Sequence, residues 1–139
     1  MGRWVRENDF DPLVQAAVNM AGPWPIPTAR AVALVKGIIA AESRFNPTAG
    51  LAESQIGDAS VGLMQMLLST AKGLGYNGDA QGLTKPGVNI PLGTRYLRQL
   101  FRQAGSEEGA VSAYNGSYRP RLGFGGRRTA ATPVVCVRW

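Results

Sequence analysis

The chain has no histidine and one cysteine, Cys136. That excludes Ser-His-Asp and Cys-His nucleophile systems, the usual zinc sites and an internal disulfide. Proton transfer near neutral pH is left to a carboxylate, a lysine or a tyrosine with a shifted pKa. The carboxylates are Glu7, Asp9, Asp11, Glu42, Glu53, Asp58, Asp79, Glu107 and Glu108. Glu42 stands apart by its spacing. Val35, Ile38 and Ile39 form an i, i+3, i+4 apolar set, and Glu42 falls at i+7 on the same stripe. A carboxyl group on a core-facing stripe loses hydration, which favours its neutral form, the form a general acid needs. On the helix alone, a solvent-facing carboxylate at the helix end is the favoured reading.

The elements that must position Glu42 follow from local signals. The length of 139 residues fits one domain. Asp11-Pro12 caps and starts a first helix carrying Leu13, Val14, Ala17 and Val18 and ending near Gly22. Pro23-Trp24-Pro25-Ile26-Pro27 is an extended connector. Thr28 is expected to cap the next helix, running to about Arg44, with Asn46-Pro47 ending it. Residues 48–60 read as loop or a small irregular hairpin, and a short helix is expected over 69–73. Asn89 is expected to cap a longer helix with Pro91 near its start and Gly105 after its end. Leu92, Tyr96, Leu97, Leu100 and Phe101 would form its buried face. Ser106 caps a last helix that bears Val111 and Tyr114 and stops at Asn115-Gly116. Residues 132–139 have the character of a short strand. The predicted fold class is mostly α (α+β), a single domain with a small irregular β element between the second and third helices.

The net charge of +6 is unevenly placed. Residues 1–89 are balanced, whereas residues 90–139 hold eight arginines against Glu107 and Glu108. A basic half implies an anionic partner, and a bacterial cell wall or nucleic acid would each serve. Arg95, Arg98 and Arg102 fit the solvent face of a helix, which needs no nucleic-acid role. No apolar segment approaches a membrane span, and no apolar h-region follows the N-terminal charges.

Three segments carry the chemistry: Glu42-Ser43-Arg44-Phe45-Asn46-Pro47, Ser60-Val61-Gly62-Leu63-Met64-Gln65, and Ala113-Tyr114-Asn115. Together they resemble the soluble lytic transglycosylases (glycoside hydrolase family 23), which share the lysozyme-like fold. That family's pattern is Glu-Ser at a helix end, a Gly-Leu-Met-Gln turn and an Ala-Tyr-Asn helix end, in this order. Asn89-Ile90 with Gly93 and Tyr96-Leu97 matches a fourth, weaker element. The resemblance covers about residues 29–118 within a single domain of 1–139. It implies that Glu42 is the catalytic acid and base that cleaves the MurNAc-β-1,4-GlcNAc bond of peptidoglycan without water, leaving a 1,6-anhydro ring. It implies substrate-binding roles for Ser60, Met64, Gln65, Tyr114 and Asn115. Four of the five have a plainer alternative: a turn serine at Ser60, core filler at Met64, a core tyrosine with a satisfied hydroxyl at Tyr114, and a helix C-cap at Asn115.

Asp58, after Gly57 in the loop, is a possible second carboxylate of the kind a hydrolytic lysozyme uses; Glu53 is a weaker one. The competing reading is a turn former. Two departures from the family pattern are visible. The usual proline after the Gly-Leu-Met-Gln turn is absent, and no closing helix with a Tyr-Val-x-x-Val motif follows, so the C-terminal part is expected to be truncated or divergent. The resemblance implies no cofactor and no metal. The implied partner is the peptidoglycan glycan strand, with no nucleic acid, no membrane insertion and a monomeric state. The implied place of action is the periplasm or cell wall, as a phage virion or lysis protein or as a domain of a longer exported one. The alternatives to a transglycosylase are a hydrolytic muramidase using Asp58 and a non-catalytic wall-binding module.

Overall fold

The computed structural model describes residues 6–116, apart from the side chains of residues 55 and 56. The Arg-rich segment after Tyr118, Cys136 and the strand expected over 132–139 lie outside the described residues. The elements are α1 (Asp11–Ala21), α2 (Thr28–Ser43), β1 (Ser60–Val61), β2 (Met66–Leu67), α3 (Leu68–Gly73), α4 (Pro86–Ala104) and α5 (Glu107–Gly116). A short 3-10 turn at Glu7–Phe10 leads into α1, and two more, at Leu51–Ile56 and Gln81–Thr84, lie between later elements. The fold is mostly helical, as its apolar spacing requires.

In α1, Val14, Ala17 and Val18 are buried at i, i+3, i+4. The connector then turns Trp24 back on the helix end. Its indole N–H donates to the Val18 carbonyl at 2.9 Å, one of the last-turn carbonyls that has no partner inside the helix. Its ring meets Phe101 edge-on at 5.6 Å. In α2, Leu34, Val35, Ile38 and Ile39 are all sealed from solvent, each contributing about 1.5–3 kcal/mol of apolar burial. Thr28 is not the cap of α2. The N-cap position is Pro27, whose carbonyl accepts from the N–H groups of Arg30 and Ala31. The helix ends where Arg44 and Phe45 adopt left-handed backbone, at φ 55° and 62°.

The β element is one antiparallel hairpin pairing Ser60 with Leu67 and Val61 with Met66. Its turn is Gly62–Gln65. Gly62 has φ 89°, and a Cβ there would lie 2.1 Å from the Asn89 amide nitrogen and 2.4 Å from the Leu83 carbonyl oxygen. Only glycine fits both the angle and the space.

Helix α4 starts three residues before the expected cap. Pro86 opens it, and Asn89 lies inside, wholly buried. Two proline signals stand five residues apart here, and Pro86 is the one that starts the helix, since its fixed φ and missing N–H suit a first turn. The predicted face of α4 is buried at Leu92, Leu97, Leu100 and Phe101, with Tyr96 half-buried. Gly105, at φ 77°, ends the helix as expected. Ser106 Oγ accepts from the Gly109 N–H at 3.0 Å to start α5. Helix α4 packs against both α1 and α5. The main core lies among α1, α2, α4, α5 and the hairpin turn. A smaller one, built on Val61, Met66, Ala71, Leu83 and Leu92, seats the hairpin. Among the described residues no helix is long and apolar enough to cross a membrane.

Candidate active site

Glu42 is the penultimate residue of α2. The stripe below it is buried, but the helix is ending, so Glu42 is half-buried rather than enclosed, with Oε1 shielded from solvent. The next residue fixes where this helix end lies. Ser43 Oγ is within hydrogen-bond distance of two carbonyl oxygens, Ile39 at 3.0 Å in its own helix and Leu63 at 2.8 Å in the hairpin turn. The residue beside the candidate acid is thereby tied to the Gly62–Gln65 turn.

That turn is gripped from three other directions. The Met64 N–H donates to Asn89 Oδ1 at 2.7 Å. The Asn89 amide nitrogen donates to the carbonyls of Val61 and Leu83, both at 2.8 Å. The Tyr114 hydroxyl donates to the Met64 carbonyl at 2.7 Å and lies 3.7 Å from Met66 Sδ. Gln65, at φ 51°, turns its side-chain amide back to donate to the carbonyls of Ala49 and Gly62, each at 3.0 Å. Helices α2, α4 and α5 and the loop at residue 49 therefore meet on four consecutive residues. Unpaired backbone groups at this depth would cost about 1–3 kcal/mol each, so these bonds define the turn's position rather than decorate it.

The sequence-predicted site residues fall into two sets. Met64, Gln65 and Tyr114 converge on the turn bonded to Ser43, the neighbour of Glu42. The Met64 side chain, however, is wholly buried, its sulfur 3.9 Å from Thr94 Oγ1 and packed on Gly93, where a Cβ would come within 2.5 Å of it. A sugar contact by this thioether is not available in this geometry; what Met64 offers is its backbone. Ser60 opens β1, and its buried hydroxyl has no hydrogen-bond partner among the described residues. Asn115 is buried within α5 rather than acting as a left-handed C-cap, because the helix continues to Gly116.

Asp58 and Glu53 belong to the other set. The Asp58 carboxylate accepts from the Ser69 N–H at 3.2 Å and from Ser69 Oγ at 2.6 Å. It holds the first turn of α3, where backbone N–H groups need acceptors. Glu53 is exposed on the 3-10 turn before it. Among the described residues no three His, Cys, Asp or Glu side chains gather in a way that would hold a metal ion.

Sequence reading missed two contributors. Ser43 was legible only as a motif letter, and Asn89 reads as a cap. Two of its three partners are 25 and 28 residues away, beyond the reach of any local signal.

A family model described as "Transglycosylase SLT domain" matches residues 28–121. The chain belongs to this family. Its fold agrees with that assignment. It superposes on the 70 kDa soluble lytic transglycosylase of Escherichia coli with a TM-score of 0.60 and 25% identity, covering 78% of this chain and 17% of that one. A structure of the 70 kDa soluble lytic transglycosylase in complex with bulgecin A gives a TM-score of 0.61 at 23% identity, with the same coverages of 78% and 17%. The SLT domain described here thus spans about 17% of the length of the transglycosylases it matches. The matched span begins at the first residue of α2 and includes Glu42, the turn, α4 and Tyr114.

Proposed function

We propose that the chain cleaves the MurNAc-β-1,4-GlcNAc bond of peptidoglycan strands by intramolecular transglycosylation, with Glu42 as the only essential acid and base. Neutral Glu42 protonates the glycosidic oxygen as the bond from the muramic acid anomeric carbon breaks. The resulting carboxylate then takes the proton of the 6-hydroxyl on the same muramic acid. The 6-oxygen bonds to the anomeric carbon and closes the 1,6-anhydro ring. The proton is returned to Glu42, and no water enters the product. Confining both transfers to one group requires a carboxyl able to hold and release a proton near neutrality.

Family membership supplies the reaction class, and the observation that carries the choice within it is the engagement of Asp58. A hydrolase needs a second carboxylate at about 5 Å or at roughly 6.5–9.5 Å from its acid, facing the sugar. The best candidate for that group instead accepts both the N–H and the hydroxyl of Ser69. The 6-hydroxyl needs no such partner, because it is already held beside the carbon it attacks. Ser60, Gln65, Tyr114 and Asn115 complete the assignment as residues that shape or line the sugar groove, Gln65 and Tyr114 by fixing the turn. We further assign action to the periplasm or cell wall, on a glycan strand, as a monomer without cofactor.

The test is digestion of purified peptidoglycan followed by mass spectrometry of the muropeptides. The expected products end in 1,6-anhydro-muramic acid, lighter than hydrolysis products by one water. Hydrated reducing ends throughout would instead establish a muramidase.

A further inference from the structure

A cleft of about 480 Å³ lies between α1 and α4 and shares no residue with the candidate active site. Its apolar side is made by Ala17, Met20, Leu74 and Pro91. Met20 is 85% exposed. The facing edge is a row of arginines on α4, Arg95, Arg98 and Arg102, at i, i+3 and i+7. None of the three pairs with a carboxylate among the described residues. Like charges at this spacing repel along a helix, so the row works against the fold unless something anionic meets it. Arg98 is also preset. Its Nε donates to the Pro23 carbonyl at 2.7 Å, and its guanidinium carbon sits 5.9 Å from the centre of the Trp24 ring. The two terminal nitrogens of the fork have no protein partner among the described residues, and such a pair suits a carboxylate.

We propose that this cleft binds a short acidic peptide with small apolar side chains, and specifically the stem peptide of a peptidoglycan strand. Charge alone would suit any polyanion. The apolar wall distinguishes a peptide, since a polyphosphate chain has nothing to place against Met20, Leu74 and Pro91. The volume is in the range of a small-molecule site and holds two or three residues, not a folded partner. A stem peptide alternates alanine methyl groups with free carboxylates, which matches one apolar wall and one arginine edge. This assignment rests on the proposed function for its choice of peptide. Its effect would be to hold the domain on peptide-bearing wall while Glu42 works on the glycan.

The experiment uses the catalytically silenced E42Q chain, so binding is read without cleavage. The probe is the tripeptide L-alanyl-γ-D-glutamyl-meso-diaminopimelate, titrated to millimolar concentration while backbone amide NMR shifts are followed. Shifts are expected at Met20, Arg95, Gln99 and Arg102, weakening with added salt and lost in the R95S/R102S double variant, whose dispersion of the remaining signals reports an intact fold. In the active chain the same double substitution is expected to bring the ratio of cleavage rates on peptide-bearing and peptide-stripped glycan towards one. Absence of shifts at these residues overturns the proposal, as do shifts confined to residues around Glu42. Equal shifts with poly(glycerol phosphate) overturn the peptide assignment in favour of generic anion binding. Failure of the proposed reaction would appear separately, as the absence of cleavage on stripped glycan.

Discussion

The turn at residues 62–65 and the loop at residues 46–59 are neighbours in sequence and differ in how they are held. The turn is fixed by side chains from distant elements: Ser43 from α2, Asn89 from α4 and Tyr114 from α5. The loop is held mostly by local bonds, such as Thr48 to Asn46 and Ser54 to Leu51. Its longer side-chain ties are two: the Gln65 amide to the Ala49 carbonyl at one end, and Asp58 to Ser69, which is exposed, at the other. The turn is buried and held by three helices; the loop is bonded to the turn at Ala49 and otherwise held by local or exposed bonds. Proton transfer needs its group placed to within a fraction of an ångström against the substrate. The bonded neighbour of Glu42 belongs to the first region and Asp58 to the second, which is a physical reason to assign the reaction to a single carboxylate.

The largest effect is expected at Glu42. Glu42→Gln is expected to lower the rate of wall cleavage by on the order of 10²–10⁴-fold, with an unchanged thermal midpoint, since the amide is nearly isosteric. Retention of activity in a turbidity assay on purified walls would remove Glu42 from the chemistry.

The next largest effect is on stability. Asn89→Ala deletes three buried hydrogen bonds and leaves two carbonyls and one N–H without that partner. The expected cost is about 3 kcal/mol or more, read as a lower urea midpoint at unchanged slope. Tyr114→Phe removes one bond to the same turn and is expected to cost about 1–2 kcal/mol. If either change is neutral in urea unfolding, the turn is not held as described.

The smallest effect is expected at Asp58. Asp58→Asn removes a charge from the first turn of α3 and is expected to cost about 0.3–1 kcal/mol, leaving wall cleavage within a few-fold. A loss of activity comparable to that of Glu42→Gln, in protein with a normal unfolding curve, would make Asp58 the second carboxylate of a hydrolase.

What the sequence showed and what it hid follow the same division. Glu42 was legible because the 3.6-residue period of Val35, Ile38 and Ile39 points at it. The turn was legible as four motif letters, and the helical class followed from periodicity and punctuation. The start of α4 was misplaced because Asn89 before Pro91 imitates a helix start while Lys85-Pro86 is the real one. Thr28 was misassigned for a similar reason, since a good capping residue stood one place inside the helix. Met64 reads as a groove residue by its motif, yet its side chain is core, because Gly93 leaves room for it and only its backbone faces other work. At Asn89 and Met64 the deciding partners lie far along the chain, and no local pattern encodes a distant partner. Arg98 was expected on a solvent face and is half-buried against Trp24, for the same reason.

The Met64 amide offers a clock. Its hydrogen is donated to the oxygen of a side chain that is itself sealed from solvent. Deuterium can reach it only when α4 lets go of the turn. If that release requires global unfolding, the amide exchanges as slowly as the slowest helical amides in the core; if the turn opens by itself, it exchanges sooner, and the difference is the free energy of that local opening. One resonance in a spectrum of the resting domain would then report whether the support beside Glu42 is rigid at rest or has to be assembled by the glycan.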